Sequence, residues 1–135
     1  MLTILLAEDD IDDQELLAEA FYEIDPSIKL VSFTTGKNFL SYLDGLNKRE
    51  MPGMIIVDYN IPEINGAEIL RRLETNQQFS KITKLVWSTS DSPLYENSCL
   101  QLGAKAYLVK PSSISGLSEL AKKMLSFADV SDLDA

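Results

Sequence analysis

The stretch Met54-Ile55-Ile56-Val57-Asp58 carries the reading of the fold: four consecutive apolar residues stopped by a carboxylate. An apolar run this short, with no polar residue alternating through it, reads as a strand buried on both faces. The signature recurs. Ile4-Leu5-Leu6-Ala7 ends in Glu8-Asp9-Asp10, Leu30-Val31-Ser32-Phe33 and Leu85-Val86-Trp87 are further short runs, and Ala106-Tyr107-Leu108-Val109 ends at Lys110-Pro111. Between the runs, apolar residues fall at helical spacing. Leu16, Leu17, Ala20, Phe21 and Ile24 make one stripe, introduced by Asp12 and Asp13 as cap and first-turn acids and closed by Pro26. Phe39, Leu40, Leu43 and Leu46 follow Gly36, and Ile69, Leu70 and Leu73 mark a short third helix. Leu94, Tyr95, Cys99 and Leu102 precede Gly103, which suits a left-handed helix end. Ile114, Leu117, Leu120, Ala121, Met124 and Leu125 form the last inner face. Five strands alternating with five helices predict an α/β fold with a parallel sheet covered on both faces. Right-handed crossovers make an open, doubly wound sheet the economical arrangement.

The 135 residues are 45% hydrophobic and 24% charged, which suits one globular domain. A chain of this length buries roughly two-thirds of its unfolded surface and needs no disulfide or structural metal to fold. Acidic residues number 21 against 12 basic, for a net charge of -9. That excess disfavours nucleic acid and anionic membrane surfaces, both of which are bound through Lys and Arg. The absence of histidine excludes Ser-His-Asp and Cys-His catalysis within the chain and any His-ligated metal. Cys99 stands alone, so no internal disulfide forms. No apolar run approaches the roughly 20 residues of a membrane span, and the start lacks the basic segment of a secretory signal. The expectation is a cytoplasmic protein with one domain over residues 1–127 and a short acidic tail over 128–135.

In a parallel doubly wound sheet, ligands bind beyond the carboxyl ends of the strands. The residues just after the strands are Glu8 and Asp9, Asp58, Ser88 and Thr89, and Lys110. Taken singly, Lys110 reads as a solvated lysine and Ser88 as a turn hydroxyl, while Asp10, Asp12 and Asp13 read as helix-start acids. Convergence changes the weighing. Two carboxylates 4 Å apart repel by about 4 kcal/mol at an effective dielectric near 20, so three of them call for a proton or a cation. Few hard oxygen ligands with positions left for water or phosphate favour Mg²⁺. Asp58 is the hardest to read as a mere cap, because it follows the most apolar strand and precedes Pro62 and Gly66 in a loop that must approach closely.

The ordered set Glu8-Asp9, Asp58, Ser88 and Lys110-Pro111 resembles the receiver domain of bacterial two-component response regulators, with similarity from Thr3 to about Phe127. The resemblance implies a flavodoxin-like sheet of order 2-1-3-4-5 with five helices. It implies that Asp58 accepts a phosphoryl group from a phosphohistidine on a sensor histidine kinase or histidine phosphotransferase. Asp9, Asp58 and the backbone carbonyl of Asn60 would bind Mg²⁺, with Glu8 reaching it through water. Lys110 and the Ser88 hydroxyl would bond to the phosphoryl oxygens, and Tyr107 matches an aromatic switch position. A cis Lys110-Pro111 peptide is also implied, as is an output surface made of the fourth helix, fifth strand and fifth helix. That surface would meet a downstream effector, and the resemblance leaves room for a homodimer through it.

The chain departs from the usual pattern at several places: Glu8 for the commoner Asp, Ser88 for Thr, Thr89 where a small residue is usual, and Ser112 where an aromatic is frequent. Thr89 stands where it would crowd the way to Asp58. None of these removes a required group. Phosphatases and dehalogenases with an Asp nucleophile are the rival class, but they usually carry a second acid two residues on, where this chain has Asn60. A receiver that binds partners without phosphorylation is the other rival, and the intact Asp9, Asp58 and Lys110 argue against it. The reading is a stand-alone phosphoacceptor for signalling rather than an enzyme, relaying a signal through a partner.

Overall fold

The computed structural model describes residues 2–128, so the expected acidic tail lies outside the described residues except for Ala128. Five strands, β1 (Thr3–Ala7), β2 (Lys29–Phe33), β3 (Met54–Val57), β4 (Thr83–Ser88) and β5 (Ala106–Val109), form one sheet in the order β2-β1-β3-β4-β5. Every neighbouring pair is parallel. The helices are α1 (Ile11–Ile24), α2 (Gly36–Asp44), α3 (Gly66–Glu74), α4 (Pro93–Gln101) and α5 (Ile114–Ser126), with one 3₁₀ turn at Lys48–Glu50. Among the described residues no helix is long and apolar enough to cross a membrane. The doubly wound flavodoxin-like arrangement is as expected.

Alternation along the strands divides the core in two. Ile4, Leu6, Met54, Ile56, Leu85, Trp87 and Leu108 point to one face, under Leu17 and Phe21 of α1 and Leu117, Ala121 and Met124 of α5. Leu5, Ala7, Ile55, Val57, Val86 and Tyr107 point to the other, under residues of α2, α3 and α4 that include Phe39, Ile69 and Cys99. Each fully buried aliphatic side chain contributes about 1.5–3 kcal/mol. The central strands are therefore the most rigid support a site at their ends can have.

The helix starts carry their own caps. Asp10, Thr35, Asn65, Ser92 and Ser113 each accept a backbone N–H from the residue three further on, typically worth about 1 kcal/mol apiece. The cap of α1 is thus Asp10, and Asp12 and Asp13 lie inside the first turn. α1 ends at Ile24 because Asp25, preceding Pro26, is held extended. Gly103 has the expected left-handed backbone, with φ 99°. Four positions read as inward, Leu16, Ile24, Leu94 and Ile114, are exposed, since helical spacing locates a stripe better than its edges. There are no cis peptides among the described residues, so Lys110–Pro111 is trans, the form favoured by a small margin for an X–Pro bond.

Candidate functional site

Backbone pairing runs past the strand ends and fixes the residues that follow. The Glu8 amide donates to the Phe33 carbonyl at 2.9 Å, the Asp58 amide to Ala7 at 2.9 Å, and the Lys110 amide to Ser88 at 2.7 Å. Three side chains far apart in sequence are thereby held at one edge of the sheet. The loop after Asp58 folds back on itself, with the Gly66 amide bonded to the Tyr59 carbonyl at 2.9 Å. A Cβ at Gly66 would stand 2.7 Å from the Asp58 carbonyl oxygen. Only glycine permits that approach, as the sequence suggested. Tyr59 itself lies flat on Tyr95 of α4, with ring centroids 4.2 Å apart.

One carboxylate oxygen from each of Glu8, Asp9 and Asp58 lies within 4.8 Å of the others. Glu8 and Asp58 are buried and Asp9 is exposed. The donor set is all oxygen, converges from two strand ends, and has a solvent side. It fits a hard divalent cation that keeps several of its waters. The Asn60 amide donates to Asp58 Oδ1 at 3.0 Å, which orients the carboxylate. The Lys110 ammonium reaches into the same cluster and donates to Glu8 Oε1 at 2.5 Å, Asp13 Oδ2 at 2.8 Å and Asp58 Oδ2 at 3.0 Å. Its remaining side faces the Trp87 ring, 4.7 Å from the centroid, where the π face attracts a cation.

The electrostatics follow from burial. Desolvation raises the Glu8 carboxyl to about 8, and the Asp58 charge acts in the same sense; the bonds from Lys110 and the Asp10 amide oppose them. Burial pulls the Lys110 ammonium down, but its bonds to Asp13, Glu8 and Asp58 outweigh it, and the net shift is upward. A cationic Lys110 beside a poised carboxylate suits an anionic reactant arriving at Asp58, because the ammonium neutralises developing charge.

Ser88 is wholly buried at the end of β4, and its hydroxyl accepts the Ser90 amide at 3.2 Å. The Tyr107 hydroxyl donates to the Ser90 carbonyl at 2.7 Å. Ser88 and Tyr107 therefore hold the same residue from its two sides. Thr89 and Ser112, the two departures nearest the site, are exposed. Each expected site residue thus lies at the carboxyl edge of the sheet or on the strand beside it. Sequence reasoning missed Asp13, which bonds to Lys110, and Gln14, whose side-chain amide donates to the Glu8 carbonyl at 2.5 Å. It read Trp87 only as the end of a short apolar run. Nothing local marks these three; a strand-end lysine with more than one acid in reach is the sole hint.

Residues 4–122 match the family model described as response regulator receiver domain. The two-component response regulator ORR11 of Oryza sativa is 34% identical over 83 residues, which are 62% of this chain and 56% of that relative. The chain therefore spans little more than half of that protein's length. The Mn²⁺-bound form of response regulator Rcp1 superposes with a TM-score of 0.83 at 25% identity, covering 94% of each chain. The phosphorylated cyanobacterial phytochrome response regulator RcpA gives 0.86 at 25% identity, covering 94% of this chain and 93% of that one.

Proposed function

From the premise that the chain belongs to the response regulator receiver domain family of two-component signalling, we propose that it accepts a phosphoryl group on Asp58. The donor is a phosphohistidine on a sensor histidine kinase or a histidine phosphotransferase, which explains how a chain without histidine takes part. An Asp58 carboxylate oxygen bonds to phosphorus as the donor's phosphorus–nitrogen bond breaks, and the imidazole leaves with that electron pair. Lys110, 3.0 Å from Asp58 Oδ2, pairs with the phosphoryl oxygens, and Ser88 hydrogen-bonds to one of them. Asp9, Asp58 and the Asn60 carbonyl would hold Mg²⁺, with Glu8 acting through water, and the ion supplies screening between the carboxylate and phosphoryl charges. The likeness to a manganese-bound and a phosphorylated response regulator supports this reading.

The shared hold on Ser90 supports a switch. If the Ser88 hydroxyl turns to a phosphoryl oxygen, it releases the Ser90 amide. The Tyr107 bond to the Ser90 carbonyl then loses its fixed partner. Tyr107 is on β5, next to α4, so the surface of α4, β5 and α5 changes and meets a downstream effector, or a second copy, differently. The phosphoryl must favour that arrangement by differential contacts, since binding both forms equally shifts nothing. In this reading residues 1–127 are the receiver unit, working in the cytoplasm as a signalling domain.

The observation that carries the proposal is the Asp58–Lys110 contact beside the Glu8, Asp9 and Asp58 cluster. Incubation with Mg²⁺ and acetyl phosphate, followed by intact mass, should add one phosphoryl group to the parent and none to Asp58→Asn. Equal labelling of the Asn variant would place the acceptor elsewhere.

A further inference from the structure

Lys110 donates to three carboxylates, and the reading above gives roles to only two of them. Asp13 is not among the acids whose oxygens converge. It comes from the first turn of α1, yet its Oδ2 is 2.8 Å from the ammonium. Its place is fixed twice. Its own amide donates to the Asp10 carboxylate at 3.1 Å, and the next residue, Gln14, ties the same turn to the end of β1 through the Glu8 carbonyl. Lys110 borders a cleft of about 130 Å³ that is also lined by Asp13, Leu16, Trp87, Pro111 and Ile114. A four-carbon side chain has room to leave Asp58 in that direction.

We propose that Asp13 is a positioning residue for Lys110: its carboxylate keeps the ammonium beside Asp58 when Glu8 and Asp58 turn their charge toward a divalent cation. The inference rests on Asp58 being the phosphoacceptor. An ammonium and a divalent cation repel each other, and two of the three carboxylates holding Lys110 belong to the cation's cluster. Asp13 is the one counter-charge that the cation does not share. Without it, Lys110 swings into the cleft, changing its place against the indole that lines it and leaving the phosphoryl oxygens it has to meet. Charge-assisted hydrogen bonds of this length are the strong kind, which suits a holding role.

The test compares the parent with Asp13→Ala, Asp13→Asn and Asp12→Asn. Labelling by acetyl phosphate in Mg²⁺ is followed by intact mass, and the emission of Trp87, the only tryptophan, is followed during Mg²⁺ addition. Asp13→Ala should lower the maximal labelling rate about tenfold while leaving the half-saturating acetyl phosphate concentration little changed. Asp13→Asn, which keeps an acceptor oxygen, should lose less. Asp12→Asn removes the same charge from the same turn without touching Lys110 and should label like the parent. Mg²⁺ should shift Trp87 emission in Asp13→Ala and not in the parent. Parent-like maximal rates in both Asp13 variants, with Asp58 still the labelled residue, overturn the inference and leave the phosphoacceptor reading standing. An equal loss in Asp12→Asn assigns the effect to net charge and overturns it too. If the parent is not labelled at Asp58, the phosphoacceptor reading fails, and the Trp87 comparison still decides whether Asp13 holds Lys110.

Discussion

Glu8 is wholly buried, so its charged form has given up water that a single ammonium only partly replaces. Burial first, then the Asp58 charge, raises its carboxyl from 4.5 to about 8. Between those two values the folded chain holds a proton that the unfolded chain has released. Stability from this group is therefore complete below about 4.5 and is lost as pH rises through about 8. Glu8→Gln is neutral at every pH. Its urea midpoint should fall less than the parent's between about pH 5 and about pH 8, and Mg²⁺ should flatten the parent's slope because a cation favours the carboxylate. Parallel slopes for parent and variant would sink the assignment. Glu8, Asp58 and Lys110 were legible because each cuts off an apolar run. Asp13 was not: a first-turn acid looks the same in sequence whether it faces solvent or a lysine 97 residues further on.

At the scale of elements, β4 shows what an apolar run conceals. The run Leu85-Val86-Trp87 locates the strand, but β4 begins at Thr83 and includes Lys84, whose charge reads as a boundary. Lys84 is buried, and its ammonium donates to the carbonyls of Ser80 at 2.8 Å and Phe79 at 3.4 Å, with Glu74 at 3.5 Å. It closes the turn between α3 and β4 from inside, so a lysine belongs in the strand. Lys84→Met keeps the stem and removes the donors; the Phe79 carbonyl still accepts the Ile82 amide, but the Ser80 carbonyl is left unpaired at a cost of about 2 kcal/mol. Chemical denaturation should read that loss while acetyl phosphate labelling persists, because Lys84 and Ser88 lie at opposite ends of β4. Stability unchanged by the substitution would mean water replaces the ammonium. α4 was misread in the other direction: Leu94 was expected inward but is 73% exposed, while Cys99 is buried and Tyr95 leans on Tyr59. Four of its nine residues are apolar or aromatic, too few for spacing to single out the inner face.

For the molecule as a whole, a net charge of -9 favours any bound cation, and the question is whether one site dominates. General screening acts on all surface acids and reaches only about 8 Å at physiological ionic strength. A cation held by Glu8, Asp9 and Asp58 acts differently, because those oxygens converge only when β1 and β3 are paired in register. Such a ligand binds the native state alone and stabilises it by RT ln(1 + [L]/Kd), about 2.7 kcal/mol at a hundredfold excess. At about 3 °C per kcal/mol for a chain of this size, the parent's melting temperature should rise by roughly 8 °C in saturating Mg²⁺. Asp9 is the exposed member of the cluster and makes no bond to Lys110, so Asp9→Asn should fold normally and lose most of that gain. NaCl at matched ionic strength should reproduce little of it in either protein. If NaCl raises the parent's melting temperature as far as Mg²⁺ does, or if Asp9→Asn keeps the full gain, the stabilisation comes from the overall charge and the three acids do not form a cation site.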